Sequence, residues 1–232
     1  MSQHLQAEIE KLKKRILHLG AVVEDAVRKA VASVDAKDVA LAKEVIDNDI
    51  SIDHLEVEIE EECLKILALY QPVAIDLRFI IAVMKMNNDL ERIADLAVNI
   101  AERALFLAGE MLREMPFDFS DMAQKTQTML KNSLDAMVNM DCALAEKVCQ
   151  ADDEVDAINR EMYGKVQEAI RKAPEHLEAL IHLLSTSRHL ERIADSATNI
   201  AEDVIYMVRG EIIRHRTEDF RSHAKAPDQS PA

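Results

Sequence analysis

Apolar residues recur along the start of the chain at alternating steps of four and three: Leu5, Ile9, Leu12, Ile16, Leu19, Val23, Ala26 and Ala30. That spacing is the seam of a helix packed in a bundle, and charged residues fill the opposite face. Punctuation is sparse, with four glycines and five prolines in 232 residues, and helix formers occupy nearly every segment. Pro72, Pro116 and Pro174 suit helix beginnings, while Asp38 and Asp141 read as N-caps. The pattern predicts six long helices, over roughly 4–35, 38–70, 73–112, 118–139, 142–171 and 175–214.

The pattern also repeats. Leu-Glu-Arg-Ile-Ala-Asp stands at Leu90–Asp95 and again at Leu190–Asp195, and each copy runs on into Asn-Ile-Ala-Glu, ending at Glu102 and Glu202. Asp38–Val45 likewise parallels Asp141–Val148. The chain is therefore a duplication in which each half is helix, helix, motif-bearing helix. Short connections make successive helices antiparallel neighbours. The expected fold is all-α: two tandem pseudo-symmetric three-helix bundles, six long antiparallel helices in all. The first repeat is expected over 1–115 and the second over 116–215, with a hinge near Pro116. Residues 216–232 lose the apolar period and read as a disordered polar tail.

Within the repeat, Glu91, Asp95, Asn99 and Glu102 share helical spacing, as do Glu191, Asp195, Asn199 and Glu202. The second helix of each half carries its own acids four residues apart, Asp49 with Asp53 and Asp152 with Asp156. Such pairs repel by a few tenths of a kcal/mol in an isolated helix, a repulsion that a bound cation, Arg92 or Arg192 would offset. If the two helix faces meet, Asp49, Asp53, Glu91 and Asp95 converge at one site, and Asp152, Asp156, Glu191 and Asp195 at another. Oxygen-only donors suit hard cations such as Mg, Mn, Ca or iron, and clustered carboxylates bridge more than one ion. Against this, the chain has 43 Asp and Glu, so solvated acids at this spacing are common. Arginine pairs on such a surface are worth under about 1 kcal/mol. His189, at the position of Asp89 in the first copy, is a further candidate ligand or a packed histidine. Met122, Met129, Met137 and Met140 are expected in the core of the fourth helix.

A net charge of -15 argues against nucleic acid and anionic lipid as partners, leaving proteins. Cys63, Cys142 and Cys149 are odd in number and lack zinc-like spacing, which fits core thiols in a reduced cytoplasmic compartment. The amphipathic first residues have no signal-like apolar region, and no stretch reaches the roughly 18–20 apolar residues of a membrane span. No phosphate-cradling GxxxxGK, no GxSxG elbow, no HExxH and no Glu-x-x-His occurs. The last of these underlies the di-iron carboxylate bundle enzymes, so no catalytic function is expected.

Several longer motifs, in order, resemble the PhoU family of phosphate-transport regulatory proteins over nearly the whole length. They are Leu69-Tyr-Gln-Pro-Val-Ala-Ile-Asp-Leu-Arg78, Lys85, Asp89–Asp95, Arg188–Asp195, Asn199–Asp203 and Gly210–His215. The resemblance implies two three-helix bundles and surface metal clusters, mononuclear or multinuclear, of divalent or iron ions (Fe, Mn, Zn or Mg). Carried over by motif, their ligands are Asp49, Asp53, Glu91 and Asp95, then Asp152, Asp156, Glu191 and Asp195. Ala94 and Ala194 stand where the family often has glycine, and Ser196 where the second copy often has histidine. The resemblance further implies negative regulation of the phosphate-starvation response and of phosphate uptake. The implied partners are the ATP-binding subunit of the phosphate ABC transporter and the sensor histidine kinase of the response. A homodimer is expected, without nucleic acid or membrane insertion. The competing readings are a metal-dependent enzyme built on the carboxylate clusters and a purely structural helical scaffold.

Overall fold

The computed structural model describes residues 3–110 and 119–210. Among them the chain forms six long helices: α1 (Gln3–Ala36), α2 (Val39–Tyr70), α3 (Ala74–Ala108), α4 (Ser120–Asn139), α5 (Cys142–Lys172) and α6 (Leu177–Arg209). A 3-10 turn at Pro174–His176 leads into α6, so the sixth helix starts slightly later than proline placement suggests. α3 stops at Ala108, short of the expected 112. α6 ends at Arg209, where Gly210 takes φ 75 and donates its N–H to Tyr206 O at 2.8 Å. The expected hinge at Pro116, the last turn of the sixth helix and the tail 216–232 lie outside the described residues.

The opening apolar series sits where its period places it: Leu5, Leu12, Ile16, Leu19, Val23, Ala26 and Ala30 are buried, and Ile9 is partly buried against them. Met122, Met129 and Met137 are buried as expected, as is Cys63, whereas Met140, Cys142 and Cys149 pack partly buried at the edge of the core.

Duplication is visible in the turns. Asp38 Oδ1 accepts from Ala40 N and Leu41 N at 2.9 and 3.0 Å, and Asp141 Oδ1 accepts from Ala143 N and Leu144 N at the same two distances. Each cap satisfies two of the amides a helix start leaves orphaned. The residues just before them, Lys37 (φ 51) and Met140 (φ 53), are both left-handed. That conformation lets the Asp38 and Asp141 amides turn back to Ser33 O and Ala136 O, closing α1 and α4 as the usual glycine would.

α1 and α2 pack on α3, and α4 and α5 pack on α6. The most extensive contact is between the halves, where α3 lies antiparallel on α6, pairing Lys85 with Asp203, Asp89 with Asn199 and Arg103 with His182. The two halves consequently share one continuous apolar core. α1 also touches α4. There Gly20 is buried against Leu134, and a Cβ at position 20 would come within 2.9 Å of Leu134 Cδ2.

Replacing either cap, Asp38→Ala or Asp141→Ala, should lower the unfolding free energy by about 1 kcal/mol. The two losses should add in the double variant, because the sites share no partner. Urea melts of the three proteins check both statements.

Candidate functional site

The repeated string divides by helix face. Leu90, Ile93, Ala94 and Ala97, with their counterparts Leu190, Ile193, Ala194 and Ala197, are buried. The alanines keep this face flat enough for close helix packing. On the other side, Glu91 and Asp95 in α3 come under the field of Asp49 and Asp53 in α2. Glu191 and Asp195 in α6 do the same with Asp152 and Asp156 in α5. The eight acids chosen from the sequence thus lie within electrostatic reach of one another, four in each half.

Each cluster carries charge that is not fully offset. Burial, with Asp53 and Asp95, raises the Asp49 carboxyl. Burial, with Asp95, Glu56, Asp53 and Asp49, raises Glu91. In the second half burial, with Asp195, Asp156, Asp153 and Glu191, pushes Asp152 up to about 7. Asp195 and Glu191 are raised mainly by burial and then by neighbouring carboxylates, partly countered by arginines. Arg92 acts across the seam on Asp195, where Arg192 acts from within the same half.

Two members escape the i, i+4 pattern. Glu56 adds its charge to the first cluster, and the buried Asn87 holds it by donating Nδ2 to both Glu56 O and Glu56 Oε1 at 2.9 Å. At the equivalent place in the second half Ser187 Oγ donates to Asn159 Oδ1 at 2.7 Å. The hydrogen bond is kept across the duplication while the acid is not. The signal in the sequence is the three-residue step from Asp53 to Glu56, which continues the acidic face. Asp153 joins Asp152 in the second cluster.

An all-carboxylate donor set shared by two neighbouring helices fits a hard cation in kind. Among the described residues, however, no three Asp, Glu, His or Cys side chains stand close enough together to hold an ion as placed. Ligation by these residues therefore requires side-chain rotation inward. His189 does not join the acids. Burial, with Arg103, Arg192 and Arg188, pushes its imidazole down to about 4. Ser196 is buried in the same helix. Two clefts lie elsewhere: one of about 430 Å³ between α1 and α2, lined by Asp25, Lys29 and Glu44, and one of about 420 Å³ between α4 and α5, lined by Lys125, Lys147 and Glu154. Both are framed by surface ion pairs such as Lys29–Glu44 and Lys125–Glu154.

A family model described as the PhoU domain matches residues 16–104 and again 119–204. The chain is 38% identical over 209 residues to the phosphate-specific transport system accessory protein PhoU homolog of Aquifex aeolicus, covering 90% of this chain and 95% of that protein. It is also 38% identical to the homolog of the same name from Pseudomonas aeruginosa, over 93% of this chain and 89% of that one. Among solved structures, the crystal structure of PhoU from Pseudomonas aeruginosa aligns with a TM-score of 0.85 at 37% identity, covering 89% of this chain and 99% of that chain. The crystal structure of the phosphate transport system regulatory protein PhoU from Streptococcus pneumoniae aligns with a TM-score of 0.80 at 30% identity, covering 90% and 98%.

A carboxyl raised on folding binds its proton more tightly in the folded than in the unfolded chain, so it lends stability at low pH that is lost as pH rises. For Asp152 the window runs from its ordinary 3.8 to about 7. The chelator-treated protein should therefore lose stability from pH 5 to pH 7.5, and Asp152→Asn should flatten that slope. Thermal melts across the range, with and without added divalent cation, check it. An equally steep slope in the variant would remove Asp152 as the source.

Proposed function

The chain belongs to the PhoU family, and from that premise we propose that it is a phosphate-transport accessory protein that negatively regulates the phosphate-starvation response and phosphate uptake. The observation carrying this reading is that both halves match the PhoU domain and that relatives named as phosphate-specific transport accessory proteins align over nearly their whole length. In this reading the protein is a non-catalytic adaptor in the cytoplasm. It works as a homodimer between the ATP-binding subunit of the phosphate ABC transporter and the sensor histidine kinase. No helix among the described residues is long and apolar enough to cross a membrane, which agrees with docking onto partners rather than insertion beside them.

An adaptor transmits a transporter's state only if it binds one state more tightly than another. Two features suit that task. Leu69, Val73, Ile75 and Leu77 are exposed by 38% to 72% around the α2–α3 turn, a concentration of apolar side chains of the kind found at protein interaction surfaces. The two acidic clusters are the second. Asp49, Asp53, Glu91 and Asp95 would hold one metal site, and Asp152, Asp156, Glu191 and Asp195 the other. A bound divalent or iron ion would neutralise the repulsion within each cluster and tie α2 to α3 and α5 to α6. Glu56, fixed by Asn87, would tune the first site without needing to touch the ion.

Removal of the gene should raise expression of phosphate-starvation genes in phosphate-rich medium, with restoration by the intact chain. Unchanged expression, in a cell lacking a second family member, would overturn the regulatory reading. Tag-free protein purified without chelator should carry near-stoichiometric metal by elemental analysis. Asp95→Asn together with Asp195→Asn should lose most of it while remaining folded. Metal-free native protein would reduce both clusters to charged docking surface.

A further inference from the structure

The α3–α6 seam is built twice by duplication, and its two ends have diverged in charge. At one end Lys85 Nζ donates to the buried Asp203 at 3.1 Å and lies 5.0 Å from the Tyr206 ring centre. Beside it Asn199 Nδ2 donates to Asp89 at 3.3 Å. The duplication puts Arg103 in the place of Asp203, His189 in the place of Asp89 and Ser185 in the place of Lys85. Acid, acid and base have become base, imidazole and hydroxyl.

That second end is built around cations. Arg103 Nη1 stands 3.4 Å from His182 Nδ1, and His182 stacks on Phe106 at 3.8 Å, which fixes the imidazole. Arg188 and Arg192 stand near enough to His189 to bear on its charge, as does Arg103 itself. Arg103 Nε and His189 Nδ1 are both buried with no hydrogen-bond partner. Unmade bonds at buried polar atoms are rare and costly. The nearest counter-charge to Arg103 is its chain neighbour Glu102, at 3.6 Å and half exposed, a pair weakened by solvent. Glu110 and Glu178 act on His182 but less than Arg103 does. His189 and Glu191, two residues apart, point to different faces of α6, and Arg188 and Arg192 act on Glu191 as well as on His189.

We propose that this end of the seam binds a small inorganic oxyanion, held by the Nε edge of Arg103 and by His189 Nδ1, with Arg188 and Arg192 supplying further positive field. The guanidinium fork matches two oxygens of one anion, and a neutral imidazole donates from Nδ1 in the corresponding tautomer. Arg103 keeps 28% of its side chain exposed, so the group lies close to the surface. Oxyanion binding rests on the two unpartnered buried nitrogens and the cations around them; that the anion is phosphate rests on the regulatory function proposed above. The seam joins the two halves, so an anion there would stiffen their contact and give the protein a direct reading of phosphate.

Equilibrium dialysis of the full chain with radiolabelled inorganic phosphate should show saturable binding of about one anion per chain. Arg103→Gln should weaken it about tenfold or more, and Arg15→Gln, a distant surface control, should leave it unchanged. Should Arg103→Gln fail to fold, the native chain still decides the matter: phosphate should shift the imidazole nitrogen resonances of His189 in a labelled sample. No saturable binding, or binding unaffected by Arg103→Gln in a folded protein, would overturn the site. Equal affinity for sulfate would overturn the assignment to phosphate. Phosphate binding in a chain whose gene removal leaves starvation genes unchanged would sink the regulatory function and leave the site standing.

Discussion

Covering α3 and α6 on three sides leaves each of them little room for polar side chains, and the rest of the molecule is arranged around that restriction. Each is flanked by the two other helices of its own half and by its counterpart from the other half. Such a helix must be apolar or small nearly all round, and Ala82, Ala94, Ala97, Ala101 and Ala104 in α3, with Ala194, Ala197 and Ala201 in α6, are buried accordingly. The acids of the repeated motif survive because they occupy the remaining strip, where α2 and α5 approach. At the Lys85 end of the seam the polar groups sit in opposed pairs, Lys85 with Asp203 and Asn199 with Asp89, since a lone charge there would lack water and partner alike.

Duplication set the architecture, and divergence then acted on side chains rather than on backbone. The two cap turns coincide to within about a tenth of an ångström in their hydrogen bonds, and the Asn87–Glu56 bond is echoed by Ser187–Asn159. Charge, by contrast, has drifted freely: Glu56 against Asn159, Asp89 against His189, Asp203 against Arg103. Backbone geometry is constrained by every neighbour at once in a close-packed interior, whereas a polar position need only satisfy its few contacts.

Helix number and both caps were legible because they depend on local spacing: Asp38 and Asp141 announce themselves by type and position, while the end of α3 and the start of α6 fell a few residues from where the pattern put them. That each acid pair shares a helix face was legible for the same reason, since i, i+4 spacing decides a face. What lay beyond reach depended on partners distant in the chain. Nothing near Lys37 or Met140 marks them for left-handed φ, which glycine normally signals. Glu56 could be placed on the acidic face, but its fixing by Asn87 is a contact between helices. The antiparallel seating of α3 on α6, on which Lys85, Arg103 and His182 depend, has no local signature, because an apolar stripe does not say which helix will cover it.

That seating also orders events at the ribosome. α3 is complete once Ala108 has been added, yet the helix that covers it ends only at Arg209, about a hundred residues and on the order of 5 to 20 s of synthesis later. During that interval the emerging first half has its central apolar strip facing water, a surface that chaperones hold and that other nascent chains can join. A sequence whose final third is slow to translate would lengthen that exposure without altering a single contact of the finished protein.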